Sequence, residues 1–283
     1  MRHCEFLLSG GSLRGLTNGG SGPIVLGLHG FLDNAASLAC LAPAFQHYQF
    51  IALDLPGHGK SYHRPAGAHY NQLDYVQDIH ELVLSQGWQN VFIVGHSLGG
   101  ILASIYAAVF PEYVSGIASI DACGPLTLEP DTTTEQINAS LLSRLPKVGN
   151  NTGASPRIVN LESAIKARCQ TTDTREAHAR LILTRNIKPL DSGEHTWSSD
   201  PRLRTKSTLR LTAQQAENIM RNIKCPVWIG GASDSFKQLE SVYASRKAWL
   251  KNSRFELFSG GHHFHMVDPG AVGASICQFV EQM

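Results

Sequence analysis

A serine that stands between glycines is the first residue of this chain that could do chemistry. It is Ser97, in the segment 95–99, Gly-His-Ser-Leu-Gly, which matches the pattern G-x-S-x-G. An apolar run at 91–94 precedes it and a helical pattern at 98–110 follows it. A nucleophilic serine needs such a sharp strand-to-helix turn, where the backbone is strained and the neighbours must be small. This context predicts a nucleophile at Ser97; the alternative is a serine that only caps a helix.

A serine hydroxyl needs a base, because it stays protonated at neutral pH. Among thirteen histidines, His262 fits best, since it lies between the predicted strand 255–258 and the last helix. Loops at that end of a parallel strand line the ligand-binding face of an open sheet. Its neighbours His263 and His265 are interpreted as surface or hydrogen-bonding residues, although one of them could line a pocket. A metal cluster formed by all three is disfavoured, since no carboxylate or cysteine lies at ligand spacing.

An acidic side chain must hold the imidazole of the base in the correct tautomer. In the chain order Ser…Asp…His it falls between the other two residues. Asp234, which follows the predicted strand 226–229, fits this order. Asp121, which ends the predicted strand 116–120, is the alternative acid on the same face of the sheet. Either aspartate could be only a turn residue, and chain order and loop context rank Asp234 first.

Two backbone N–H groups could hold the oxyanion of an acyl-transfer reaction. The loop 29–31, His-Gly-Phe, follows the predicted strand 24–28 and offers the N–H of Phe31. The N–H of Leu98 would be the second donor. The alternative is that the loop 29–31 is only a tight turn. Chemistry of this kind requires no cofactor and no metal ion.

A second glycine-rich segment, 54–61, ends in Gly-Lys-Ser like a phosphate-binding loop. Such a loop needs a glycine where Asp54 stands. The mismatch argues against an ATP site.

The elements that position these residues alternate along the chain. Short apolar runs separated by helical patterns predict an α/β protein, with a mostly parallel sheet and helices on both faces. A glycine-serine turn between 5–8 and 13–17 predicts an antiparallel hairpin at the sheet edge. The predicted strands are 24–28, 50–53, 91–94, 116–120, 226–229 and 255–258, and the helices among them are 35–45, 72–86, 98–110 and 271–281.

The chain changes character between residues 124 and 222, where it is mostly helical and polar and has no strong strand run. Amphipathic helices are predicted at 163–169, 175–185 and 213–223. The strands that follow need the earlier strands to pair with. The simplest organisation is therefore a core domain formed by residues 1–123 and 223–283, interrupted by a helical cap at 124–222.

Composition limits the partners. The net charge of +1 over 283 residues lacks the basic excess of a nucleic-acid binder. The apolar runs are shorter than the roughly twenty residues that span a bilayer, and Glu5 stands where a signal peptide needs an apolar run. The six cysteines are scattered without a C-x-x-C pair, as in reducing compartments. We expect a cytoplasmic protein with a small-molecule substrate and no nucleic-acid or membrane partner, of undetermined oligomeric state.

Four motifs in this order resemble the α/β-hydrolase fold superfamily, over nearly the whole chain. They are the loop 29–31, a D-x-x-G-x-G-x-S turn at 54–61, the nucleophile elbow at 95–100, and Gly261-His262 followed by Pro269. The resemblance implies an eight-stranded sheet, a helical cap over the site, and His262 rather than His263 as the base.

Within the superfamily, the segments 200–204 and 210–212 resemble a cap signature of the serine hydrolase-like group, and 120–126 is similar to the same group. The serine at 97 departs from haloalkane dehalogenases and epoxide hydrolases, whose nucleophile is an aspartate. Those two reactions are therefore disfavoured. The sequence predicts hydrolysis of a carboxylic ester through an acyl-enzyme. The alternatives are thioester, lactone or C–C hydrolysis on the same fold, or a non-catalytic small-molecule receptor.

The predicted cap carries side chains whose role the sequence leaves open. Arg202, Arg204 and Arg210 could bind a substrate carboxylate, although arginines in a helical insert more often form surface or structural ion pairs. Trp197 could line the pocket or pack the cap.

Overall fold

The structure, a computed structural model, describes residues 1–145, 157–207, 209–235 and 239–283. Its strands are β1 (Arg2–Leu8), β2 (Gly11–Thr17), β3 (Ile24–Leu28), β4 (Gln49–Leu53), β5 (Val91–His96), β6 (Val114–Ile120), β7 (Ile187–Pro189), β8 (His195–Trp197), β9 (Val227–Ala232) and β10 (Ser253–Phe258). Eight of them form one sheet in the order β1-β2-β4-β3-β5-β6-β9-β10. The strands from β4 to β10 in this order are parallel, and β1 and β2 form an antiparallel hairpin at the edge. The predicted fold class and edge hairpin are confirmed.

The apolar runs form central strands because both of their faces are covered. All six residues of β5 are buried, as are all six of β9. The helices are α1 (Gln72–Ser85), α2 (Leu98–Val109), α3 (Thr133–Arg144), α4 (Leu161–Thr171), α5 (Glu176–Arg185), α6 (Ala213–Arg221), α7 (Leu239–Arg246), α8 (Phe264–Val267) and α9 (Pro269–Glu281). Residues of α1, α2 and α6 fill the core on one face of the sheet, and residues of α9 fill it on the other.

One predicted helix takes a different form. The segment predicted as a helix at 35–45 forms two short 3-10 helices, Ala35–Ser37 and Ala39–Phe45. Pro43 lies inside the second one and lacks the N–H that an α-helical hydrogen bond requires. The buried face nevertheless packs as the periodicity predicted, since Leu38, Leu41 and Phe45 are fully buried.

The segment between β6 and β9 holds α3 to α6 together with a two-stranded antiparallel sheet formed by β7 and β8. No strong strand run is recognisable there in the sequence, because three-residue strands are too short to give a period-2 signal. Its last helix, α6, packs against α2 of the core. The predicted boundaries of the cap at 124 and 222 stay a prediction. Among the described residues, no helix is long and apolar enough to cross a membrane.

Candidate active site

Ser97 stands on a strained turn between β5 and α2. Its backbone has φ 49° and ψ −111°, a conformation that costs a residue with a side chain about 1–3 kcal/mol. The turn needs glycines on both sides. A Cβ on Gly95 would lie 2.3 Å from the carbonyl oxygen of Gly99, and one on Gly99 would lie 1.9 Å from the carbonyl oxygen of Leu28. The G-x-S-x-G pattern is therefore explained by close backbone contacts around Ser97.

The imidazole of His262 lies against a carboxylate from the neighbouring strand. Its Nδ1 atom is 2.5 Å from Oδ2 of Asp121, the residue that directly follows β6. The Asp121 side chain is completely buried, whereas 22% of the His262 side chain is exposed. Asp121 also has a positive φ, 53°, and its Oδ2 accepts a second hydrogen bond from the hydroxyl of Ser235. The structure thus pairs the predicted base with a buried acid.

This geometry corrects the ranking of the two acids, because it is Asp121 and not Asp234 that lies against His262. Asp234 is exposed, and its backbone N–H donates to the carbonyl of Gly260 at 2.8 Å. The physical reason is the course of the loop after β9, which turns the Asp234 side chain to solvent. Asp121 directly follows β6, which lies beside β5, the strand that leads to the serine. The loop after β9 reaches the site through Ser235.

Backbone and ring contacts bring the base loop next to the serine. The Nε2–H of His96, the residue before Ser97, donates to the carbonyl of His262 at 2.9 Å. The rings of His96 and His262 lie 4.5 Å apart, centroid to centroid. The Ser97 N–H donates to the carbonyl of Ile120, one residue before Asp121, at 2.8 Å. The segments that follow β5, β6 and β10 at their carboxyl ends therefore meet around the serine.

The two predicted oxyanion donors lie at the start of α2 and in the loop that follows β3. Leu98 begins α2, so its N–H is one of the donors that a helix leaves without an intrahelical partner. Two hydrogen bonds hold the loop after β3. The N–H of Asp33 donates to the carbonyl of Gly30 at 3.1 Å, and the N–H of Leu32 donates to Nε2 of His58 at 3.3 Å. Within the described part of the chain, the Phe31 N–H has no such acceptor.

The segment 54–61, which resembles a phosphate loop, is a structural junction. The carboxylate of Asp54 is fully buried and accepts the N–H groups of Ala35 and Lys60 at 2.8 and 2.9 Å. Arg185, in α5, forms an ion pair with this carboxylate. The distance from its Nη2 atom to Oδ2 of Asp54 is 2.7 Å. Asp54 thus binds a guanidinium where a phosphate loop would leave room for a ligand.

A buried network of charged groups lies beside His262. The ring of His263 contacts Asp33 through Nε2 at 3.1 Å and Asp173 through Nδ1 at 3.5 Å. Burial opposes its charge, but these two carboxylates raise the pKa of His263 to about 9. Burial also opposes the charge of Asp33, but the hydrogen bond from His263 and the charges of His263 and Arg168 hold the pKa of Asp33 well below its ordinary value. His263 is thus a buried ion-paired residue and not a surface histidine.

Burial disfavours the charged form of two other histidines, His96 and His265. Burial lowers the pKa of His96 to about 4 and that of His265 well below its ordinary value. The side chain of His265 is fully buried beside His96, with ring centroids 4.4 Å apart. Sequence reasoning had no signal for these environments, because ring burial depends on which loops meet.

The side chains of the predicted cap whose role the sequence left open differ in their surroundings. Arg202 donates to the carbonyls of Arg64, Pro65 and Ala68 at 2.6 to 3.0 Å and pairs with Asp200. The side chains of Arg204 and Arg210 are exposed, and Trp197 packs against the small apolar cluster of α4 and α5. The Arg202 contacts favour the structural interpretation of that residue.

Arg246, in α7, was not singled out by the sequence. It is buried, and its Nη1 donates to the carbonyls of Cys123 and Pro125 at 2.7 and 2.8 Å. Burial lowers the pKa of its guanidinium. The residue fixes the path of the chain directly after Asp121. A lone arginine in a helical pattern gives no sequence signal for such a role.

Comparison with known proteins agrees with this architecture. A family model described as the alpha/beta hydrolase fold matches residues 23–269. The chain belongs to the α/β-hydrolase family and is a hydrolase.

Its relatives carry serine hydrolase names. A serine hydrolase-like protein of Danio rerio is 30% identical over 281 residues, which cover 96% of this chain and 86% of that protein. A probable serine hydrolase of Drosophila melanogaster is 30% identical over 272 residues, 91% of this chain and 81% of that protein. The resemblance to the serine hydrolase-like group is confirmed.

Solved structures share the whole fold. The crystal structure of a hypothetical protein from Pseudomonas aeruginosa PAO1 aligns with a TM-score of 0.89 at 30% identity, covering 99% of this chain and 100% of that one. A thioesterase domain from the curacin biosynthetic pathway aligns with a TM-score of 0.82 at 23% identity and 99% coverage of both chains, a likeness of fold alone.

Proposed function

We propose that this protein is a serine hydrolase that cleaves a carboxylic ester of a small molecule through a triad of Ser97, His262 and Asp121. The observation that carries the proposal is the contact of His262 Nδ1 with the buried Asp121 carboxylate, in a loop that His96 holds beside the strained serine. A strained nucleophile and a base oriented by an acid are the parts that acyl transfer requires.

In the first step, the Ser97 hydroxyl attacks the ester carbonyl while His262 Nε2 takes its proton. Asp121 keeps the Nδ1–H of the ring in place and stabilises the imidazolium that forms. The N–H groups of Phe31 and Leu98 stabilise the negative oxygen of the tetrahedral intermediate. Collapse of the intermediate expels the alcohol, which leaves with the proton from His262.

In the second step, water attacks the acyl-enzyme while His262 again takes a proton, and the carboxylic acid leaves as Ser97 recovers its hydrogen. The reaction needs only side chains and backbone donors of this chain. Thioester, lactone and C–C bonds are open to the same serine chemistry, so the nature of the leaving group is decided by the substrate test.

The test is hydrolysis of p-nitrophenyl esters from acetate to decanoate by the wild type and Ser97→Ala, together with labelling by a fluorophosphonate probe. Turnover and labelling by the wild type alone support the proposal, and the preferred chain length measures the acyl site. Labelling without ester turnover redirects the search to thioesters and lactones. A wild type that neither turns over nor reacts with the probe would indicate a receptor.

A further inference from the structure

Three buried side chains next to the proposed triad present ligand atoms to one point. Oδ2 of Asp33, Nδ1 of His96 and Nε2 of His263 all lie within 4.8 Å of one another. Asp33 Oδ2 is 3.1 Å from the His263 nitrogen and 3.6 Å from the His96 nitrogen. Ligands about 2.0–2.1 Å from one tetrahedral zinc ion lie roughly 3.4 Å apart. The two distances from Asp33 are close to this spacing, and the two nitrogens lie within 4.8 Å of each other, so the three atoms can contact one ion.

The electrostatics of His96 favours a cation at this point. Its Nε2–H donates to the carbonyl of His262, so in the neutral ring the Nδ1 atom carries a lone pair. That lone pair faces the Asp33 carboxylate, and Nδ1 is a buried nitrogen with no hydrogen-bond partner among the described residues. Two acceptors facing each other in a buried site repel, and a cation between them removes the repulsion.

The outer contacts of both histidines are those of metal ligands. A ligating histidine usually donates its other ring N–H to a carboxylate or a backbone carbonyl. His263 faces Asp173 with its Nδ1, and His96 donates to a backbone carbonyl with its Nε2. Arg168 contacts the Oδ1 atom of Asp33, at 2.5 Å, so that Oδ2 is the oxygen that faces the two ring nitrogens.

We infer that Asp33, His96 and His263 form a binding site for a divalent transition-metal ion such as Zn²⁺, Co²⁺ or Cu²⁺. Two imidazole nitrogens and one carboxylate oxygen suit these ions better than Mg²⁺ or Ca²⁺, which prefer oxygen ligands. Binding replaces the proton on His263 Nε2 by the metal ion, and the proton leaves to solvent. A water molecule completes a four-coordinate shell.

The consequence for activity rests on the proposed function. The ion would sit one residue from His262 and would be bound by the ring that holds the His262 carbonyl. Its charge opposes the imidazolium that His262 forms in each step. We therefore expect Zn²⁺ to inhibit ester hydrolysis reversibly and a chelator to restore it.

The binding test does not use activity. Untagged, metal-free protein is titrated with Co²⁺ while the visible spectrum is recorded, and bound metal is counted by mass spectrometry. We expect one ion per chain with the strong absorption of a low-symmetry, four-coordinate site. Asp173→Asn should weaken binding about 10- to 100-fold, and His263→Gln should weaken it further. His178→Gln, which removes a nearby histidine of α5 outside the ligand set, is the matched control.

A Cu²⁺ complex of the wild type supplies a readout that needs no variant, because electron paramagnetic resonance counts the imidazole nitrogens on the ion. Two coordinated imidazoles support the site. The inference is overturned if the wild type binds no Co²⁺, if His263→Gln binds it as tightly as His178→Gln does, or if the copper spectrum shows no imidazole coordination. Since these readouts are independent of ester turnover, failure of the proposed function leaves them interpretable.

Discussion

The Nδ1 atom of His262 lies 2.5 Å from the Oδ2 atom of Asp121, although 141 residues separate the two in sequence. The contact joins the loop after β10 to the end of β6, across the intervening strand β9. It selects Asp121 over Asp234, the aspartate that chain order and loop context rank first.

We expect Asp121→Asn to lower kcat for a p-nitrophenyl ester by about 10³- to 10⁴-fold, because an amide no longer stabilises the imidazolium. Asparagine tolerates the positive φ at this position, so the backbone should remain intact. Asp234→Asn is the matched control and should retain wild-type kcat. If the Asp234 variant instead shows the large loss, the assignment of Asp121 is wrong.

The strain at Ser97 predicts a conflict between stability and activity. Ser97→Ala and Ser97→Gly both remove the nucleophile, but only glycine relieves the strained φ and ψ. We expect the glycine variant to be about 1 kcal/mol more stable than the alanine variant in urea unfolding, despite the flexibility that glycine adds to the unfolded chain. A glycine variant that is less stable than the alanine variant would show that the turn stores no strain.

The ion pair between Arg185 and Asp54 should be essential to the fold. Arg185→Met leaves a fully buried carboxylate without its cation, which typically costs about 3–5 kcal/mol in the free energy of unfolding. Arg180→Met removes an arginine of the same helix whose side chain is 42% exposed, and it should cost less than about 1 kcal/mol. Comparable losses in the two variants would contradict the role assigned to the buried pair.

Buried neutral histidines should make the protein sensitive to mild acid. Burial lowers the pKa of His58 to about 3, from 6.5 in the unfolded chain. The unfolded state then binds a proton that the folded state does not. Stability is therefore retained above pH 6.5 and falls as the pH drops toward 3, by about 1.4 kcal/mol per pH unit for this residue.

Urea unfolding at several pH values between 7 and 4 measures this effect. His58→Gln keeps a donor for the Pro56 carbonyl and an acceptor for the Leu32 N–H, but it does not titrate. We expect the free energy of unfolding to fall less steeply with decreasing pH in the variant than in the wild type. The difference in slope should be the contribution of one proton, about 1.4 kcal/mol per pH unit. Parallel curves for the two proteins would mean that His58 is charged in the folded state.

The fold and part of the site could be predicted because their signals are local. Apolar runs locate the strands of the sheet, and the glycines around Ser97 show where the backbone must come close. The choice of Asp121 over Asp234 could not be made this way, since it depends on how the loops after β6 and β9 turn at the edge of the sheet. The burial of His263 and Arg246 likewise depends on loops and helices that are distant in sequence.

Two arginines from the segment between β6 and β9 neutralise buried carboxylates that lie near the N-terminal strands. Arg168 pairs with Asp33 over 135 residues of chain, and Arg185 pairs with Asp54 over 131. During synthesis, Asp33 and Asp54 leave the ribosome long before Arg168 and Arg185 do. The N-terminal strands therefore cannot complete their ion pairs until the later segment has been made. Replacing the segment between β6 and β9 by one without these two arginines would leave Asp54 buried without its cation and Asp33 with histidine partners alone. A substitution in one of these two parts of the chain therefore has to preserve the ion pair with its partner in the other.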